Sequence, residues 1–189
     1  MASAALPPAF PAVRIDGESY WDDGIHSNTP IEAVLDDNPR RDSVIFAVQL
    51  WSPQGTEPAT IWEVIGRQKD IQYASKAETQ LARQRQIHRL RHVIRELAQY
   101  IPPGELDSPA VKELLQWGCG TTMQVIQLQA PHLDNDDHAK DIDFSAAQLQ
   151  ARWEAGYCAT ARIIERAPWR DKLDPVEGIG VHDIIMSSA

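Results

Sequence analysis

The run Ser43-Val-Ile-Phe-Ala-Val-Gln-Leu-Trp51 constrains the fold more than any other part of this 189-residue chain. It is nearly continuous in apolar residues and rich in β-branched ones, so it does not alternate between a wet face and a dry one. Such a segment suits a strand buried on both faces of a parallel sheet. Downstream, no Gly or Pro occurs from Arg67 to Ile101. Within that stretch Ile71, Ala74, Ala77, Leu81, Ile87, Leu90, Ile94 and Leu97 recur near helical spacing, with Gln84 on the same line. That pattern predicts one long helix, or a broken pair, over about residues 60–100. Pro102-Pro103-Gly104 ends it. Upstream, Thr29 reads as an N-cap with Pro30 at N1 and Glu32 at N3, a capping box that opens a short helix from Ile31 to about Leu35. Helix and buried strand in alternation predict the α/β class.

The remaining segments fit that frame. Leu6 to Ala12 is a proline-rich, extended lead-in. Val13-Arg14-Ile15, the turn Asp16-Gly17 and the return Glu18 to Trp21 predict a β-hairpin. Val111 to Trp117 suits a short helix, and Thr121 to Gln129 a strand stopped by Pro131. His132 to Asp143 reads as a polar loop. Ser145, with Gln148 three residues on, opens a helix carrying Leu149, Trp153, Tyr157, Ile163 and Ile164. Trp153 and Tyr157, four residues apart, are expected to anchor that helix in the core. The last twenty residues have no clear pattern.

Composition narrows the function. Apolar residues make up 43% and charged residues 24%, ordinary for a soluble globular protein. No run reaches the roughly 18 to 20 apolar residues that span a bilayer. The N-terminus has no basic region and is broken by prolines, so a secretory leader is not expected. Cys119 and Cys158 lack metal or redox spacing and suit reduced thiols in a cytoplasmic protein. A net charge of −9 argues against nucleic acid as a partner. Yet eight of the 18 Lys and Arg residues fall between Arg67 and Arg95. Arg83, Arg85, Arg89, Arg91 and Arg95 could touch anionic lipid head groups as a peripheral membrane contact. A solvated helix face is the expected reading. His88 and His92 are spaced like a metal pair but have no third ligand nearby in sequence. Asp134, Asp136, Asp137 and His138 lack the glycine and terminal Glu of a calcium loop, so a solvated loop is expected there. Cys119 stands between two glycines without an identifiable His partner, and a tight turn accounts for it. No cofactor and no metal is expected.

The segment that carries chemistry is Tyr20-Trp21-Asp22-Asp23-Gly24-Ile25-His26-Ser27-Asn28-Thr29-Pro30. It sets a carboxylate at the end of a strand, beside a glycine, with an Asn and a capped helix soon after. Strand ends are where open α/β sheets bind ligands. A carboxylate fixed there can orient and deprotonate a nucleophile. The same residues also suit a solvated turn, since Asp-Gly is common turn chemistry.

This segment resembles the signature of patatin-like phospholipases, Asp-Gly-Gly or Asp-Gly-Ala followed by Asn-x-Pro. Leu6-Pro7-Pro8-Ala9-Phe10-Pro11 before it and Ile31-Glu32-Ala33-Val34-Leu35 after it extend the likeness. So do Lys69-Asp70-Ile71-Gln72-Tyr73-Ala74-Ser75, Asp143-Phe144-Ser145 and Trp153-Glu154-Ala155-Gly156-Tyr157, which are similar to the C-terminal extension of bacterial members. The resemblance implies the C-terminal part of a three-layer α/β/α catalytic domain over residues 1–58, followed by a mainly helical extension over residues 59–189. It implies hydrolysis of lipid acyl esters by a Ser–Asp dyad. The serine of that dyad lies in a Gly-x-Ser-x-Gly elbow, and a glycine-rich loop serves the oxyanion. Asp22 then matches the dyad aspartate, Gly24 the third signature position, and Asn28 and Pro30 the Asn-x-Pro that supports the loop.

Two departures stand out. Asp23 replaces the middle glycine, which strains the loop if that position needs φ > 0 and adds a like charge beside Asp22. And the 189 residues contain no Gly-x-Ser-x-Gly, although the family places it well before the aspartate and only 21 residues precede Asp22 here. The expectation is a fragment inactive alone, whether truncated, split or mis-started, with a complementary N-terminal half carrying the serine. A non-catalytic remnant that docks on membranes or on a partner protein through the basic helix over residues 67–95 is the alternative. A parallel sheet without its first strands also predicts an exposed apolar edge and poor solubility alone.

Overall fold

The computed structural model describes residues 2–7, 10–27, 29–130 and 145–184. The expectations for Pro8, Ala9, Asn28, the 132–143 loop with its acidic cluster, Asp143 and Phe144 lie outside the described residues.

Three strands form a parallel sheet: β3 (Ser43–Gln49), β4 (Met123–Gln129) and β5 (Ile179–Ile184), in the order β3-β4-β5. Ser43 stands opposite Met123, and Met123 opposite Ile179. The crossover from β3 to β4 holds α2 (Ile61–Ala98), α3 (Pro103–Leu106) and α4 (Pro109–Leu115), and that from β4 to β5 holds α5 (Ala146–Arg166). The sheet therefore draws strands from both sides of residue 58. Before it come α1 (Ile31–Leu35) and a separate antiparallel hairpin of β1 (Val13–Ile15) and β2 (Glu18–Tyr20). The hairpin turns through Asp16 at φ 52° and Gly17 at φ 88°, the left-handed pair that a two-residue hairpin loop requires.

Side-chain alternation along β4 feeds two cores. Met123 and Val125 face α1 and α2, joining Ile31, Leu35, Ala47, Leu81 and Ile179. Ile126 and Leu128 face the other way, against Ile163 of α5 and Trp169. Trp169 also meets Phe46 edge-on, with ring centroids 5.6 Å apart. β4 is central and buried on both faces. β3 is not, contrary to the sequence expectation: Val44, Phe46 and Val48 are exposed, and only the Ala47–Gln49 face is covered. β3 is an edge strand, with one of its faces barely roofed.

The long helix forms as a single unit, with Thr60 as N-cap accepting from the Glu63 N–H at 3.3 Å. At about 1.5 Å per residue it is about 57 Å long, more than twice the length of the seven-residue strands it crosses. It overhangs the sheet, which leaves Ile61, Trp62, Val64, Ile65 and Leu97 exposed. Its buried row also differs from the predicted one. The row runs Asp70, Ala74, Ala77, Leu81, Gln84, His88 and His92, while Ile71 and Leu90 face solvent. The polar members hold their places by hydrogen bonding: Gln84 Nε2 donates to Asp36 Oδ2 at 2.8 Å, and His88 Nε2 lies 3.3 Å from the Leu35 carbonyl. Trp153 and Tyr157 are exposed, so they are not core anchors; Ala159 and Ile163 fill that role. β5, in the tail where no pattern was visible, supplies an outer strand of the sheet.

Candidate active site

The hairpin delivers Asp22 into a loop pinned on several sides. Its backbone N–H donates to the Ala5 carbonyl at 3.1 Å, and the Trp21 indole donates to the Phe10 carbonyl at 3.3 Å. Asp22 itself is extended (φ −60°, ψ 129°) and caps a short 3-10 turn, Asp23–Ile25, its carboxylate accepting the Gly24 N–H at 2.7 Å. The turn closes as His26 and Ser27 donate to the Asp23 carbonyl at 2.7 and 2.8 Å. Asp23 takes the right-handed conformation of that turn, and the non-glycine residues at positive φ among the described residues are Asp16 and Ala167. Asp in place of the signature glycine therefore requires no left-handed backbone, and the expected strain is absent.

The second half of the loop is tied to the parallel sheet and to α2. Ser27 is buried and donates to Gln80 Oε1 at 3.4 Å; Gln80 Nε2 donates in turn to Glu32 Oε1 at 3.0 Å, linking loop, α2 and α1. Lys76 Nζ donates to the His26 carbonyl at 3.3 Å. Thr29 Oγ1 donates to the Val48 carbonyl at 3.4 Å, which anchors the loop at the C-terminal end of β3. Thr29 is thus not the N-cap of α1: the cap position is Pro30, which has no side chain able to accept, and the predicted capping box does not form. Nor does Asp22 end a strand of the parallel sheet, since β2 belongs to the separate hairpin. The Thr29 bond brings its loop to the sheet's carboxyl edge all the same, where open α/β sheets bind ligands. Of the predicted site residues, Asp22 and Gly24 are in direct contact, Pro30 stands at the helix start, and Asn28 lies outside the described residues. The sequence reading missed Ser27, Gln80 and Lys76, since a serine and two polar helix residues carry no signal of a shared contact across about fifty positions.

Among the described residues no hydrogen bond engages the other Asp22 oxygen, and Asp22 is half-buried. The carboxylate is oriented by one N–H and open to accept a proton at its second oxygen. None of the described Ser, Thr, Cys or His side chains is bonded to it. Cys119 is at the opposite end of the sheet, before β4, with its Sγ 2.9 Å from Thr121 Oγ1.

The other candidates are engaged inside the fold. His92 lies 2.9 Å from both the Thr121 and the Pro175 carbonyls through its two ring nitrogens, so the His88–His92 pair is an internal brace. No group of three or more His, Cys, Asp or Glu placed to hold a metal occurs among the described residues. Arg85 and Arg89 pair with Glu177 at 3.5 and 3.4 Å, and Arg67 donates to the Ser52 and Pro53 carbonyls. No helix of the described residues is long and apolar enough to cross a membrane.

Comparison with known families agrees with this layout. Residues 1–35, which hold the aspartate loop, match the family described as patatin-like phospholipase, and residues 71–176 match the family described as patatin phospholipase. No curated protein and no solved structure matches the chain. The second family match spans more than half of the sequence, and the chain belongs to the patatin phospholipase family, whose substrates are lipids.

Proposed function

We propose that this patatin-family chain supplies Asp22 as the base and orienter of a Ser–Asp dyad that hydrolyses lipid acyl esters, the serine standing on a segment outside these 189 residues. The observation that carries the reading is the Asp22 carboxylate itself. One oxygen is fixed by the Gly24 N–H at 2.7 Å, the other is open, and the loop is anchored at the carboxyl edge of a parallel strand. In such a dyad Asp22 takes the proton of the serine Oγ as that oxygen attacks the ester carbonyl. The proton passes to the departing alcohol as the acyl-enzyme forms. A water then attacks the acyl carbonyl, Asp22 accepts its proton, and the fatty acid leaves as the serine is restored. Gly24, Asn28 and Pro30 serve the loop rather than the reacting atoms.

The open side of β3 supports the same reading. β3 stands at the edge of the sheet among the described residues, where a further strand can pair with its backbone, and its exposed Val44, Phe46 and Val48 face is what a covering layer would bury. In this view residues 1–58 belong to the catalytic domain and residues 59–189 to its extension, and the chain works in the cytoplasm. A non-catalytic role for the basic helix at a membrane surface is the weaker reading, because Arg67, Arg85 and Arg89 already serve internal partners.

The test is hydrolysis of a short-chain p-nitrophenyl ester by the purified chain beside its Asp22→Ala variant. Equal, background rates in both are expected. A rate that disappears only in the variant would mean that a nucleophile within these residues completes the site, and the proposal of an external serine would fall.

A further inference from the structure

Away from the aspartate loop, a cleft of about 350 Å³ opens between the α1–β3 loop, α2 and α4. It is lined by Arg40, Arg91, Glu113, Gln116 and Trp117, and none of the described residues of the aspartate loop contributes to it. The volume falls in the range of small-ligand sites, roughly 300 to 1,000 Å³. Its chemistry is unbalanced. Arg40 Nε and Arg91 Nη1 are both buried with no hydrogen-bond partner among the described residues. Neither guanidinium forms an ion pair there. The nearest help to Arg91 is the charge of Asp36, a carboxylate already accepting from Gln84 at 2.8 Å. Burial, then the like charge of Arg40, holds the Arg91 guanidinium below its ordinary value, although it stays charged. Those two N–H groups are themselves shielded, so what the cleft presents to a ligand is the unneutralised positive charge of two guanidiniums that line it, which favours an anion there.

We propose that this cleft binds a phosphate-type oxyanion. Two guanidiniums from separate elements can grip several oxygens of one tetrahedral anion. The Gln116 amide can donate a further hydrogen bond, and Trp117, at 65% exposure, forms an apolar wall for the ester substituent. Glu113 is the one carboxylate of the lining, and it opposes the anion. The lining thus carries two positive charges and one negative. The anion can be free phosphate, a soluble phosphate monoester or the phosphate of a lipid head group; the recognition chemistry is the same. The inference does not depend on the role of Asp22.

The test is calorimetric titration of the full chain with inorganic phosphate and with glycerol 3-phosphate, at fixed ionic strength set with chloride. Sedimentation with phosphatidylcholine vesicles, with and without phosphatidic acid, forms a second arm. Saturable binding is expected in at least one arm. It should weaken about tenfold or more in Arg91→Gln and in Arg40→Gln, in line with the loss of a charge-assisted bond, and tighten in Glu113→Gln. The gain in Glu113→Gln cannot come from misfolding, and circular dichroism checks the two arginine variants. Binding to the soluble anions identifies a free phosphate site; binding only to phosphatidic acid vesicles, lost in Arg91→Gln, identifies a head-group site. No saturable binding in either arm overturns the proposal. So does binding that both arginine variants retain, or that Glu113→Gln weakens.

Discussion

Acidification should destabilise this fold through His88 in particular. Its ring is fully buried, its Nε2–H donates to the Leu35 carbonyl at 3.3 Å, and Nδ1 has no partner among the described residues. The side chains that bear on it electrostatically, Arg91, Arg40 and His92, are all basic. Burial first, then those charges, lowers its pKa from the ordinary 6.5; the Leu35 carbonyl opposes the shift. The sign follows. Below the unfolded value of 6.5 the unfolded chain takes up a proton that the folded chain does not, so the contribution of neutral His88 is present above 6.5 and is lost as pH falls below it. One proton limits the slope to about 1.4 kcal/mol per pH unit between the unfolded and the folded value. The assay is urea denaturation of the wild type and His88→Gln at pH 7.5, 6.5 and 5.5. Other histidines and carboxylates titrate in both proteins, so the difference between the two curves isolates His88. The wild type should lose more stability than the variant on going from pH 7.5 to 5.5, by no more than that slope allows. Parallel curves would refute the claim that His88 is held neutral by its surroundings.

Three further outcomes follow from the packing. A Cβ at Gly178 would meet the His92 ring at 2.7 Å, and that ring is held by two carbonyls, whereas one at Gly120 would meet only the flexible end of Arg95. Gly178→Ala should therefore cost about 1–3 kcal/mol by denaturation and Gly120→Ala distinctly less. Ile163→Ala should cost about 2–5 kcal/mol, since Ile163 is fully buried against Ile126 and Leu128. Val44→Lys with Val48→Lys should reduce self-association of the isolated chain in sedimentation velocity, because both side chains lie exposed on the open β3 strand.

The sequence revealed the parts whose local chemistry is self-contained. The Asp16-Gly17 turn, the glycine- and proline-free helix and the strands at 43–49 and 123–129 could be read from periodicity and turn residues. What it could not reveal depended on partners. An apolar run looks the same whether both faces are covered or one awaits a neighbour, so the sequence of β3 alone points to a buried strand. The aliphatic periodicity of α2 favoured Ile71 and Leu90, yet the buried row includes His88 and His92 besides the expected Gln84, because carbonyls from distant segments satisfy the two histidines. Trp153 and Tyr157 looked like anchors by size, but α5 turns its small Ala159 and its Ile163 inward. β5 escaped notice because Gly180, His182 and Asp183 break its apolar pattern. For the site, Asp22 was visible from its motif; its anchoring through Ser27, Gln80, Lys76 and Thr29 depends on tertiary contacts that no local spacing encodes.

The most direct test of the central claim is complementation. The chain would be co-expressed with a patatin-type fragment carrying Gly-x-Ser-x-Gly, and the purified pair assayed for fatty-acid release from phospholipid, beside the same pair bearing Asp22→Asn. Activity is expected only in the pair, reduced about 10²- to 10⁴-fold by the substitution, the range for loss of a general base. Activity in the pair that Asp22→Asn leaves unchanged would contradict the claim.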